Sequence, residues 1–201
     1  MEPINLLLLT VYLIIVAYVF NQAIKSLDSQ VVIVIDNDDL KEQLEKQELN
    51  KILEFKFKLK GSYRLEAVTD VPITIKNISE DDTVRVDWDE CSITDFAKVT
   101  GRVIRLTPGM TDIPQKQAES PILPGQMIDE KLSDDKALTG NLFKVPALKK
   151  ATAKSDPFYL RLFFKLTNPG GRKTFHSLRC KFIPKKLRLT RAIVLALKER
   201  V

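Results

Sequence analysis

The chain has 201 residues, 44% apolar and 29% charged, and its 32 basic and 26 acidic side chains leave a formal charge of +6. Two full cores would each need roughly 100 residues, so the length suits one domain with additions. Seven glycines and ten prolines exclude a low-complexity chain. The net charge is itself a difference: residues 1–143 carry 16 basic and 24 acidic groups (net −8), and residues 144–201 carry 16 and 2 (net +14).

Residues 1–25 predict a membrane anchor. Ile4–Ile24 reads INLLLLTVYLIIVAYVFNQAI, with no charge in 21 positions. At ~1.5 Å per residue such a helix spans about 30 Å, the thickness of a hydrocarbon core. A cleaved signal peptide would need a basic n-region and a small-x-small site; here the n-region is Met1-Glu2-Pro3, and Asn21-Gln22-Ala23 is a poor site. A core helix is rarely apolar all round, which leaves a retained single span. Lys25 follows the span and no Lys or Arg precedes it, so the positive-inside rule puts the soluble domain on the cytoplasmic side (stromal in a photosynthetic cell). Cys91 and Cys180 fit one disulfide or two reduced thiols equally, and neither has metal-ligand spacing.

Residues 26–54 read as a buried strand and a short acidic helix. Val31–Ile35 is an aliphatic run, mostly β-branched, of the kind buried on both faces. Only about six residues separate it from Lys25; fully extended they reach ~20 Å, which holds the domain close to the bilayer. The spacing predicts a helix over 39–52, with Asp39 and Glu42 as a capping box and Glu42/Lys46 as an i,i+4 pair.

Residues 55–184 switch to a period of two. Phe55, Phe57 and Leu59 share one face against Lys56, Lys58 and Lys60, and Gly61-Ser62 predicts a turn into a strand carrying Tyr63, Leu65 and Ala67. Strands are expected at 72–78, 83–88 (Val84, Val86 and Trp88 inward) and 99–107. A loop rich in Pro and Gly follows over 108–126, then an edge strand near 126–132 and an irregular polar stretch over 133–156. Phe158–Thr167, the turn Asn168-Pro169-Gly170-Gly171, and Leu178, Cys180 and Phe182 make the clearest hairpin. Such a series of short strands predicts a mainly β fold, an antiparallel sandwich, and residues 185–201 read as a basic amphipathic C-terminal helix.

The segments VPITIKNIS and VRVDWDECSITD, the loop with ILPGQ and the FYLRLFFKL…HSLRCKF hairpin, within residues 70–183, resemble the immunoglobulin-like domains of bacterial membrane-tethered accessory proteins. The resemblance implies an immunoglobulin-like β-sandwich and a non-catalytic role. The chain departs from that pattern in having no lipobox cysteine near its anchor.

Few constellations carry chemistry. Asp87, Asp89, Glu90 and Asp95 surround Trp88 and Cys91, but alternation makes Asp87 and Asp89 solvent-side strand residues and Asp95 a turn residue, and EF-hand spacing is absent. His176 is the only histidine and lies in phase with Leu178 and Cys180, as a core-edge residue would. Asn168–Gly171 has no following helix or P-loop lysine, so it reads as a turn and not a phosphate cradle. No cofactor or metal is expected, and no enzyme activity.

The basic rear is more informative. Arg172, Lys173, Arg179, Lys181, Lys185, Lys186, Arg188 and Arg191 lie within 20 residues, and Leu189, Ala192, Ile193, Ala196 and Leu197 fit one helical face. A solvated face is one account; docking on anionic lipid or on a membrane partner is another. Nucleic acid is disfavoured, because the anchor restricts access to it. The residues expected to carry docking are Lys181, Lys185, Lys186, Arg188, Arg191, Ile193 and Leu197. The expected role is a non-catalytic accessory subunit on a larger membrane complex, photosynthetic or respiratory, the alternative being a free-standing envelope module with its domain outside the cytoplasm.

Overall fold

The computed structural model describes residues 3–107, 116–137 and 140–187. Helix α1 (Pro3–Asp28) runs into strand β1 (Gln30–Ile35), helix α2 (Asn37–Lys46), a single 3-10 turn (Leu49–Lys51) and β2 (Leu53–Phe57). Then come β3 (Tyr63–Arg64), β4 (Val71–Asn77), β5 (Thr83–Val86), β6 (Ser92–Thr94), β7 (Thr100–Arg105), β8 (Ser120–Ile122) and β9 (Met127–Asp134). A 3-10 turn (Asp135–Ala137), helix α3 (Val145–Lys154), β10 (Phe158–Thr167) and β11 (Lys173–Lys186) complete the described chain.

Every strand pairing is antiparallel. The strands form one continuous curled sheet in the order β2-β4-β9-β7-β6-β10-β11-β1-β3, with β5 beside β10 and β8 outside β5. Strand β7 makes the bend, pairing β6 through Thr100–Arg102 and β9 through Val103–Arg105. Gly101 sits at this bend, where a Cβ would clash with the Asp134 carboxylate. The curl sets β2 over the hairpin: Phe55 meets Phe164 edge-on at 5.5 Å, and Phe57 meets Phe182 at 5.1 Å. Between these arms lie Trp88, Phe158, Ile73, Ile75, Ile93 and Leu132, all fully buried.

The hairpin alternates as its sequence requires: Phe158, Leu160, Leu162, Phe164, Leu178, Cys180 and Phe182 face the core. On its other edge β10 pairs first β6 and then β5. The interruption between them is bridged by Cys91, whose Sγ accepts the Phe163 N–H at 3.3 Å and donates to the Asp87 carbonyl at 3.1 Å. Strand β1 is covered on both faces, since Val31, Val32 and Ile33 are all buried.

Several expectations are corrected. The acidic helix begins two residues earlier than expected and stops at Lys46. Asp36 is its N-cap, accepting the Asp39 N–H at 3.3 Å, and Glu48 turns left-handed (φ 56°) so that Leu49 enters the core. The Glu42–Lys46 pair forms, at 2.5 Å. Tyr63–Ala67 does not return along β2; the short β3 pairs β1, and the Leu65 N–H extends that ladder to the Ser29 carbonyl at 2.9 Å. Strand β9 is interior, between β4 and β7, where an edge strand was expected. Within the stretch expected to be irregular lies α3, with Pro146 in its first turn and Leu148, Ala151 and Thr152 buried.

The strand also continues through Pro184, where a helix was expected. The Asp36 N–H bonds the Lys181 carbonyl, and the alternation of the β1 register then points the Pro184 nitrogen away from β1. On that side β10 has already ended, at the Phe158–Phe182 pair, so no ladder bond is lost. Lys185 and Lys186 are therefore strand residues, and the remainder of the expected C-terminal helix lies outside the described residues.

Candidate functional site

Helix α1 is the most conspicuous surface feature. Its segment Ile4–Gln22 has mean hydropathy 2.2 and none of it is buried, so it is no core helix of this fold. Thr10, polar and near its middle, donates its hydroxyl to the Leu6 carbonyl at 2.8 Å, satisfying itself within the helix as an apolar medium demands. The helix is long and apolar enough to cross a bilayer, a description that a signal sequence also meets.

The passage from helix to sheet is abrupt, with only Ser29 between Asp28 and Gln30. Gln30 is opposite Arg64, and Val31 is opposite Lys186. Beside them lies a cleft of about 130 Å³ lined by Gln30, Leu65, Lys149, Thr152, Ala153 and Lys186. Helix α3 supplies one wall. Its buried Leu148, Ala151 and Thr152 dock it on the body, which turns Lys149 toward the cleft and leaves Lys144, Lys150 and Lys154 exposed. Cations from three elements distant in sequence thus gather at the foot of α1.

Of the residues singled out from sequence, Lys185 and Lys186 are exposed at the end of β11, opposite Val32 and Val31. Lys181 is partly buried and committed to the fold: its Nζ bonds the Asp36 carboxylate at 3.0 Å. That hydrogen bond holds the Asp36 carboxyl below its ordinary range and raises the Lys181 ammonium. Arg188, Arg191, Ile193 and Leu197 lie outside the described residues. Sequence reasoning missed Lys149, which the spacing of Leu148, Ala151 and Thr152 after Pro146 could have placed on a helix flank.

The acidic cluster is occupied structurally. Asp87 accepts the Asp89 N–H, and Asp89 accepts the Gln117 N–H at 3.1 Å and lies 3.7 Å from Arg102. Asp95 accepts the Ala97 and Val99 N–H groups, closing a turn. Both cysteines are free and buried. Burial pushes the Cys91 thiol up to about 12 and raises Cys180 as well, the opposite of what activates a nucleophile. His176 contacts the Thr174 hydroxyl at 3.2 Å, and desolvation lowers its pKa.

No known family's profile and no curated protein matches the chain. Five solved chains are similar to part of it. One is described as an ApaA protein from Bordetella pertussis, with 11% identity, 65% of this chain and 88% of that chain covered, and a TM-score of 0.31. Another is the X-ray structure of a structural-genomics consortium target, with 14% identity, 67% and 86% covered, and a TM-score of 0.34. Neither likeness is close enough to bear on fold or function.

Proposed function

We propose that this chain is a single-pass, membrane-anchored, non-catalytic interaction subunit that docks on a larger membrane complex through its anchor and basic face. What carries the proposal is the join: a helix whose apolar segment Ile4–Gln22 is unburied meets the sheet through one residue, and cations line the join. Six residues of helix beyond Gln22 rise roughly 9 Å at ~1.5 Å per residue, which sets the start of β1 within the headgroup layer. Lys149, Lys185, Lys186 and Arg64 then face anionic lipid or the juxtamembrane surface of a partner, each lipid-facing cation contributing about 1 kcal/mol. Lys25, after the span, favours the cytoplasmic side.

For the domain we favour an immunoglobulin-like sandwich, its layers being the two arms of the curled sheet. The aromatic contacts of Phe55 and Phe57 across the core support that assignment. A non-catalytic role is supported by the structural use of Asp87, Asp89 and Asp95 and the raised thiols.

The test is native gel electrophoresis of membranes solubilised in mild detergent, preceded by an alkaline carbonate wash. An integral subunit resists the wash and migrates in a high-mass band. Release by the wash overturns the anchor, and migration only as a small free species overturns the complex. Protease added to intact spheroplasts spares the domain if it is cytoplasmic; digestion would favour the envelope module instead.

A further inference from the structure

The outer face of the β10–β11 hairpin is built against its own stability. Opposite the core-facing set, β10 presents Tyr159, Arg161, Phe163 and Lys165, and β11 presents Lys173, Phe175, Ser177 and Arg179. Arg161 and Arg179 are directly opposite. The backbone N–H and C=O of Arg179 turn outward to the Gln43 amide, so this is the non-hydrogen-bonded kind of pair, in which side chains come closest. On the other edge of β10, Lys165 is directly opposite Arg85. Like charges at directly opposed positions destabilise a sheet, and here two such pairs flank one spot.

That spot is aromatic. Phe163 and Phe175 stack at 6.1 Å, and Phe175 is 62% exposed. Arg179 lies over the Tyr159 ring at 5.1 Å. The neighbouring carboxylates compensate only in part: Asp39 approaches Arg179 and Glu119 approaches Arg85, each at 3.9 Å, and Asp87 lies beside Phe163. Among the described residues no carboxylate pairs with Arg161, Lys165 or Lys173. Phe175 is also a backbone edge. By the same alternation its N–H and C=O point outward, beyond Gln47, whose amide caps the Ser177 carbonyl at 3.0 Å.

We infer that this face docks an acidic protein segment that seats an apolar side chain on Phe175 and sets carboxylates between Arg161 and Arg179 and between Lys165 and Arg85. Opposed cations gain what they lack from an anionic partner, and an exposed aromatic pair with an open strand edge suits an extended polypeptide. Lipid is a poorer fit. Phe175 lies eleven residues along β11 from Lys186, roughly 36 Å at ~3.3 Å per residue from the foot of α1. The inference rests on the chain being an interaction subunit, though not on its anchor.

The experiment uses the full chain in nanodiscs of zwitterionic lipid. The probe is a labelled glutamate-rich peptide with one central tryptophan; an oligothymidylate of equal charge and phosphatidylglycerol vesicles are the other arms. The peptide is expected to bind in a salt-sensitive manner, and Arg161→Glu or Phe175→Ser to weaken it roughly tenfold or more. Lys76→Glu, at an exposed position of β4, leaves peptide binding unchanged. Arg161→Glu also turns a repulsive pair into an attractive one, so the free protein should melt about 1–3 °C higher while binding falls. Failure of the peptide to bind, equal binding by all variants, or a lower melting point for Arg161→Glu overturns the inference. Tighter binding of the oligothymidylate or the vesicles through Arg161 and Phe175 overturns it in favour of nucleic acid or lipid. The carbonate wash above can fail without touching any of these readouts.

Discussion

Gln43 offers a sharp test of how the edge of β11 is held. Where β1 ends, α2 takes over from it. The Gln43 side-chain amide donates to the Arg179 carbonyl at 2.7 Å and accepts the Arg179 N–H at 3.0 Å, as a neighbouring strand would, and it also donates to Asp39 at 2.8 Å. Gln43→Ala removes both backbone bonds. The site is partly open, so water replaces them, and each is worth its net value of about 0.5–1.5 kcal/mol rather than a full desolvation penalty. The better helix propensity of Ala returns a few tenths, leaving a loss of about 1.5 kcal/mol, or roughly 3–6 °C for a domain of this size. Gln43→Glu should cost more than Ala, because it keeps the acceptor but sets an oxygen against both the Arg179 carbonyl and the Asp39 carboxylate. Thermal melts give the size of the effect and amide hydrogen exchange its place. In Gln43→Ala the Arg179 amide exchanges faster, while Leu178 and Cys180, bonded to β10, do not change. Unchanged exchange at Arg179 would refute the reasoning, whatever the melting point does.

The other predictions concern the core and its thiols. Phe158 stacks on Phe182 at 5.0 Å and touches Phe143 at 4.7 Å, so Phe158→Ala should cost about 3–5 kcal/mol in urea unfolding; a loss below ~1 kcal/mol would mean that these rings do not pack together. Burial raises Cys91 to about 12 and also raises Cys180, so above pH ~9 the unfolded chain sheds thiol protons that the folded chain keeps. Their stabilisation is complete below that pH and is lost as pH climbs toward 12, each thiol adding roughly 1.4 kcal/mol per pH unit to the alkaline slope. Replacing both (Cys91→Ser with Cys180→Ala) should flatten that slope relative to the wild type, and an equal slope in both would contradict the burial. In the native state both thiols should resist iodoacetamide at pH 8 and react once urea unfolds the chain; rapid native labelling would show them open.

How much was legible depended on whether the deciding contact was local. The apolar run of α1 and the alternation of β10 and β11 are properties of a few successive residues, and both were read from sequence. Tyr63 looked like the return arm of a hairpin because Gly61-Ser62 marks a turn; its partner is β1, more than 30 residues earlier, and nothing near Tyr63 announces it. The strand runs on past Pro184 because the donor a proline lacks would face the side where β10 has stopped, which depends on the register of two other strands. Helix α3 was hidden because its apolar face is short and interrupted by lysines. At the basic face the composition was plain but the geometry was not. Lys181 looked like its neighbours and is spent on Asp36, while Lys149, within the stretch expected to be irregular, lines the cleft beside Gln30.

The charge that composition reports as +6 therefore has a spatial meaning that counting by segment only begins to show. The part of the rear excess within the described residues 144–187, 12 basic groups against 1 acidic, is laid mainly along α3, β10 and β11, elements that the fold brings together. Because alternate residues of a strand face opposite ways, the core-facing half of β10 and β11 is fixed by packing, and charge can vary only on the outer half. Arg161, Lys165 and Arg179 fill that half with like charges directly opposed across strands. A surface selected for stability alone would have mixed the signs there, as Asp36 and Lys181 do one position farther along the same hairpin face. That contrast along β11 leaves Lys181 to the fold and supports the proposed partner at the far end of the hairpin.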